Sequence, residues 1–359
     1  MSYRFDLSNL GVMVDMAGCP NRCRHCWLGS HRNGHLSVSA FRNISEQFRN
    51  WRDENGMAIK ELGFFSWWRE PDYRSDYKEL WRLEQELSSP GCAQRFELLS
   101  TWRLAHDKDY ANWAAALEPK ACQVTFFGME DNTDWGMRRN GAFMDQLTAT
   151  ERCLSAGIVP RWQLFITKRC LNELDEFLRL IYDLNLFKRC KKIGRKFEVF
   201  IGGIAPEGNG YEIDGLRPDE SDLNLIPKEL LAVSREGLAM LGQSESKLLK
   251  ELAESDTPPN IYVNSPCLAI NADYDVYPNI AEPTEWWRLG NLKTDGIDRI
   301  LKRYRDEATP GMSINRTLPT SVLAKTYGDP NSKKLYDKSD LITRFMHQWG
   351  VDYMKGKVI

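Results

Sequence analysis

The chain has 359 residues, 42% of them hydrophobic and 27% charged, and 48 basic against 50 acidic side chains leave a formal net charge of −2. That length suits one large barrel-sized domain or two smaller ones, and the composition is that of a globular protein with a substantial core. It excludes a strongly basic surface for nucleic acid, a bilayer span of roughly 18–20 apolar residues and a signal peptide. Nine cysteines, odd in number and mostly irregular in spacing, read as a reducing, cytoplasmic setting and not as a disulfide framework.

In chain order, an apolar run at 11–16 predicts a first strand. Cys19, Cys23 and Cys26 follow it at C-x3-C-x2-C spacing. Phe41, Ile44, Phe48 and Trp51 then recur at helical spacing, with Ser39 as the predicted cap. A second strand is predicted at 59–65, and a helix carrying Tyr77, Leu80, Trp81 and Leu87 comes next. Strands at 96–100, 121–127, 159–166 and 197–201 alternate with three more amphipathic helices. The first lies within 107–117, the second carries Phe143, Leu147, Thr150 and Leu154, and the third carries Leu174, Phe177, Leu178 and Ile181. Six strand–helix repeats with short crossovers predict an α/β fold, a partial (β/α)6 TIM-type barrel over 1–206. Ligands of such sheets bind at the carboxyl ends of the strands, where the three cysteines fall.

After Pro206 the composition shifts. Residues 207–310 predict a small α+β extension with short strands at 261–263, 268–270 and 275–277 and a helix through Ile297, Ile300, Leu301 and Tyr304. Residues 311–359 read as a punctuated tail with one helix at 338–349. The basic run from Lys188 to Lys196 precedes the sixth predicted strand, on the face opposite the cysteines. It reads as a solvated loop, with docking of an acidic electron donor as the alternative.

Thiolates are soft donors that hold zinc or iron–sulfur clusters. Three of them leave one metal position open, which separates a reactive site from a closed structural one. The other reading of the same residues is a zinc site completed by His25, His31 or His35, in a non-catalytic binding module. Gln163 is a polar residue within an apolar strand, facing either the site or a backbone partner. Cys92, Cys122, Cys153, Cys170 and Cys190 have no ligand spacing and read as core.

The segment Cys19 to Cys26 resembles the C-x3-C-x-φ-C signature of the radical S-adenosylmethionine enzymes, with His25 in the φ position. Trp68-Arg69-Glu70-Pro71 is similar to that family's Gly-Gly-Glu-Pro segment, with Glu70-Pro71 kept and the glycines replaced. Thr125 to Gly128, Arg138-Arg139-Asn140-Gly141 and Ala156-Gly157-Ile158 resemble the peptide-modifying branch. Cys267 to Pro278 and Leu289-Gly290-Asn291-Leu292 resemble a degenerate SPASM/twitch extension. There Asn279 stands where a cysteine is expected, which implies that the extension has no auxiliary cluster.

The resemblance implies one [4Fe–4S] cluster on Cys19, Cys23 and Cys26, with S-adenosylmethionine chelating the fourth iron and being cleaved reductively to a 5′-deoxyadenosyl radical. It further implies Glu70, His25, Thr125, Arg139 and Gln163 as cofactor-binding residues and Cys267 as a hydrogen-atom donor. The implied partners are a flavodoxin- or ferredoxin-type electron donor and a substrate, with no nucleic acid and no membrane. The short stretch before Cys19 leaves no leader-peptide-binding domain, which favours a small biosynthetic molecule over a peptide. Absence of an auxiliary cluster favours a redox-neutral or reductive outcome over net oxidation.

Overall fold

The computed structural model describes residues 7–95, 97–261, 266–278 and 282–358. Its elements run in order β1 (Asn9–Val14), α1 (Val38–Asn50), β2 (Glu61–Phe65), α2 (Tyr77–Leu87), α3 (Thr101–His106), α4 (Tyr110–Ala115), β3 (Ala121–Phe126), α5 (Glu130–Met137), α6 (Ala142–Ser155), β4 (Val159–Phe165), α7 (Leu174–Asp183), α8 (Leu186–Lys192) and β5 (Val199–Gly202). Then come α9 (Asn209–Glu212), α10 (Lys228–Ala232), β6 (Gln243–Ser244), α11 (Glu245–Leu252), β7 (Cys267–Ile270), β8 (Asp275–Pro278), β9 (Gly290–Asn291), α12 (Ile297–Arg305), α13 (Pro310–Thr317), α14 (Thr320–Tyr327), β10 (Leu335–Tyr336) and α15 (Lys338–Met354).

The fold is mixed α/β with parallel sheets. β3, β4 and β5 form one all-parallel sheet in that order. β1 pairs parallel with β2 on one side and with β7 on the other, and β7 continues antiparallel into β8 and β9. So the hairpin that follows the sequence shift is not a separate layer: Gly11 faces Cys267 and Met13 faces Ala269 across one ladder.

Two-residue periodicity decides what each strand presents. On β1, Leu10, Val12 and Val14 are fully buried in a core shared with α1, α2 and the C-terminal helices, and Gly11 and Met13 turn the other way. On β3 and β4, Cys122, Val124, Phe126, Trp162 and Leu164 pack outward against α6 and α7. Gln123, Thr125, Arg161, Gln163 and Phe165 occupy the opposite, partly exposed face. Each sheet therefore buries its outer face under helices and keeps its inner face for a cavity.

Three expectations change. Among the described residues the barrel-type repeats contribute five strands, not six. Residues 97–100 are not a strand, although the Glu97 carbonyl accepts from the Gln123 amide at 2.9 Å. That pairing ends at once, because Ser100 turns to cap α3 and its Oγ accepts from the Arg103 amide. The cap of α1 is Ser37 and not Ser39. The tail holds three helices where one was expected, and the first opens on Thr309-Pro310, a side-chain cap followed by proline in the first turn. The predicted strand at 261–263 and the Asn279 position fall largely or wholly outside the described residues.

Candidate active site

A cavity of about 610 Å³ opens at the carboxyl ends of the strands. Cys19, Cys23, His25 and Cys26 line it, as do Glu70, Thr125 and Cys267. Arg139 and Gln163 are not among its lining residues. Cys267 reaches it from β7, and its sulfur lies 3.0 Å from where a side chain at Gly11 would begin. A glycine on β1 therefore makes room for that thiol.

The loop carrying the three thiols is held from several directions. Asn33 grips Cys19 twice: its side-chain oxygen accepts from the Cys19 amide at 3.0 Å, and its nitrogen donates to the Cys19 carbonyl at 2.9 Å. Gly18 has φ +72°, and a Cβ there would sit 2.7 Å from Asn33, so only glycine fits. The Arg24 amide donates to the Gly136 carbonyl at 2.7 Å, and its guanidinium lies 4.7 Å over Trp135. Asn209 donates to the Cys23 carbonyl through its side chain and to the Cys26 carbonyl through its amide, both at 3.0 Å. Behind Asn209, the Gly208 amide donates to Glu282 at 2.7 Å, and His347 of α15 meets the same carboxylate at 2.7 Å.

The loop after β2 carries Glu70 and is fixed as firmly. Arg69 replaces a small residue of the resembled motif and forms a buried ion pair with Asp15 at 2.8 Å, tying this loop to the end of β1. Below it, Arg95 bridges Asp72 and Glu84 at 2.7 Å each, all three almost fully buried. Glu84 also takes the amide and hydroxyl of Ser66, and Asp72 takes the Tyr110 hydroxyl at 2.7 Å. Buried charges persist only when so paired. Trp67 and Trp68 line the cavity and pack with Met13, Phe65, Ala269 and Tyr277, away from α1.

Electrostatics follows from this burial. Desolvation, and next the neighbouring thiols or Glu70, push Cys19 and Cys23 far up, and burial raises Cys26. Three thiols this close resist becoming thiolates together unless a cationic centre shares their charge. Among the described residues no three His, Cys, Asp or Glu side chains gather closely enough to hold one metal ion. Three thiols on one cavity are a soft donor set of the kind that holds zinc or an iron–sulfur cluster.

His25 is packed between Phe127 and Phe165, with ring centroids 4.9 and 4.7 Å away, and burial lowers it to about 4. It is neutral at physiological pH. Thr125 sits on the inner face of β3. Arg139 donates to Asn21 at 2.7 Å and pairs with Asp145 at 2.7 Å, so its charge is committed beside the thiol loop. Gln163 accepts from Gln123, whose oxygen accepts from Arg161. The polar strand residue has a side-chain partner, and Gln123, which the sequence did not single out, takes its place on the cavity wall.

Glu70 faces the cavity, and Ser100 donates to it at 2.6 Å. Desolvation outweighs that bond and raises the carboxyl to about 7. A group whose pKa rises on folding adds stability that is full below its ordinary value of 4.5 and is lost as pH climbs through about 7. The full shift would amount to roughly 3 kcal/mol. Water in the open cavity screens part of it, so about 1–2 kcal/mol is the expected gain for Glu70→Gln at pH 8. Urea melts at pH 8 and pH 4.5 should show the variant more stable at the first and equal at the second.

No family model matches the chain, and no curated protein matches it. Solved structures do. Native anSMEcpe with bound AdoMet and the Cp18Cys peptide has a TM-score of 0.54 at 11% identity, over 97% of this chain and 98% of that one. The same protein with AdoMet and the Kp18Cys peptide gives 0.53 at 11% identity, and with AdoMet alone 0.52 at 10%, over the same shares of both chains. In each of these structures anSMEcpe holds AdoMet. Identity this low speaks for the fold and not for the chemistry, but the likeness runs through the C-terminal third as well as the strand–helix repeats. This chain shares the fold of AdoMet-bound anSMEcpe.

Proposed function

We propose that the protein is a radical S-adenosylmethionine enzyme acting on a small biosynthetic molecule. The observation that carries the reading is the meeting of three cysteines and Glu70 on one cavity at the carboxyl ends of parallel strands. On this reading the two parallel sheets are arcs of an open barrel, and residues 207–310 are a SPASM/twitch-like extension to it. Cys19, Cys23 and Cys26 would hold a [4Fe–4S] cluster. With S-adenosylmethionine on its free iron, such a cluster supplies one-electron cleavage of a sulfonium to a 5′-deoxyadenosyl radical.

The chain's own residues do the positioning. Glu70, once ionised, accepts from the methionine ammonium in a charge-assisted bond. Thr125 offers a hydroxyl from β3 to the ribose or carboxylate. His25, neutral and wedged between two phenylalanines, keeps an apolar wall beside the adenine. Arg139 would act through the thiol loop, holding its Asn21 side while its charge stays paired with Asp145. Trp67 and Trp68 exclude water. Cys267 lines the same cavity from β7 and would serve there as a hydrogen-atom donor to a substrate radical. The electron comes from a flavodoxin- or ferredoxin-type partner.

A second reading has one specific support. The solved structures that share this fold include complexes of anSMEcpe with peptides. On that reading the substrate is a peptide side chain entering the same cavity.

Anaerobic reconstitution tests the proposal. It should give a brown protein absorbing near about 400 nm with about four irons per chain. Dithionite and S-adenosylmethionine should then yield 5′-deoxyadenosine, and deuterium carried into it from a candidate molecule or peptide identifies the substrate class. A colourless zinc protein, or an iron-loaded one that never yields the nucleoside, refutes the reading. Iron near eight would place a second cluster in the chain.

A further inference from the structure

A second cavity, of about 250 Å³, lies at the opposite end of the β3–β4–β5 sheet. Its rim is set by the first residues of two strands, Ala121 of β3 and Val159 of β4, with Glu198 just before β5. Five cations line it, Lys120, Arg161, Arg195, Lys196 and Arg235, against two carboxylates, Glu97 and Glu198. The carboxylates are already used: Glu97 pairs with Arg161, and Glu198 with Lys196 at 3.4 Å. Lys120, Arg195 and Arg235 have no side-chain hydrogen bond or ion pair among the described residues. Arg161 keeps one buried donor, its Nε, without a partner.

Two of these guanidiniums crowd one ring. Arg161 lies 5.0 Å and Arg235 5.3 Å from the centroid of Phe200. The aromatic face holds each cation but does nothing for the repulsion between them. An anion in the cavity that both line would relieve it, and the uncommitted forks of Arg195 and Arg235 match the oxygens of a phosphate group. The surplus of three charges calls for an anion carrying more than one. A cavity below the ~300 Å³ at which drug-sized pockets begin favours something small. The geometry points to a binding site for a small polyvalent phosphate anion, of the size of a diphosphate group, at the amino-terminal mouth of this sheet.

An acidic electron-donor protein suits the position less well. The thiol loop follows the carboxyl end of β1, so a partner docked here would stand a full strand length away, roughly 20 Å at 3.3 Å per residue. The proposed site is independent of what the cysteines bind.

Titration calorimetry of the full chain with inorganic pyrophosphate, at fixed low ionic strength, tests it. Saturable one-to-one binding is expected. The double variant Arg195→Glu/Arg235→Glu should weaken it at least tenfold, and Lys325→Glu, on the exposed side of α14, should leave it unchanged. Should the double variant fail to fold, Lys120→Glu on a separate segment is expected to weaken binding at least threefold. No saturable binding to the unmodified chain, or equal affinity in the charge-reversed variants, overturns the assignment.

Discussion

Changing any one of Cys19, Cys23 or Cys26 to serine is expected to abolish formation of 5′-deoxyadenosine and to lower bound iron well below the wild-type content. The reason lies in how the thiols are held. Each sits on a loop whose backbone is already bonded elsewhere: Cys19 to Asn33, Cys23 and Cys26 to Asn209. Such a loop cannot rearrange to recruit a substitute ligand. His25 is the nearest alternative donor in sequence, and it is wedged between Phe127 and Phe165. A serine hydroxyl is a hard, weakly acidic donor and a poor replacement for a soft thiolate on iron. Folding should be spared, because the thiols face a cavity and not the core. Iron analysis and circular dichroism on the same samples separate the two effects. A serine variant that keeps full iron and full cleavage would remove that residue from the ligand set.

The second large effect is expected at Gly208. Its φ is +54°, and a Cβ there would lie 2.3 Å from the Trp27 carbonyl oxygen and 2.7 Å from that of Cys26. Gly208→Ala therefore incurs backbone strain of roughly 1–2 kcal/mol and overpacking of roughly 1–3 kcal/mol. Gly194 supplies the control, since it has φ +75° but nothing within 4 Å of its Cβ position. Gly194→Ala should show the strain alone. The excess loss in Gly208→Ala, read from urea midpoints, combines the close approach of residue 208 to the thiol loop with the added strain of its ψ of −131°. The same variant should surrender its iron to a chelator several-fold faster. Equal losses at both positions would mean that the contact carries no energy.

Much of this was legible in the sequence because the signals were local. The thiol spacing, Glu70-Pro71 and Thr125 fall on one cavity, and the helical faces at Phe41–Phe48 and Leu174–Ile181 pack as their period requires. What escaped was long-range or polar. The pairing of β7 with β1 joins segments some 250 residues apart, and no periodicity announces it. Asn33, Glu282, His347 and the Arg95 network act through single hydrogen bonds between distant segments, and a lone asparagine or glutamate in a loop carries no mark of its partner. Residues 97–100 misled because an apolar run looks like a strand until its serine is seen to cap a helix. Two of the three tail helices were missed, although Thr309-Pro310 is a local start signal that could have found the first of them.

The contact of His347 with Glu282, and through it with Gly208 and Asn209, has a consequence for biogenesis. A ribosome makes the thiol loop about 310 residues before α15, so the nascent chain exposes its three sulfurs before this brace exists. The pocket at the thiol loop is then completed only when α15 docks. Ribosome-bound chains stalled before residue 338 should leave those sulfurs open to alkylating reagents, whereas the finished protein shields them.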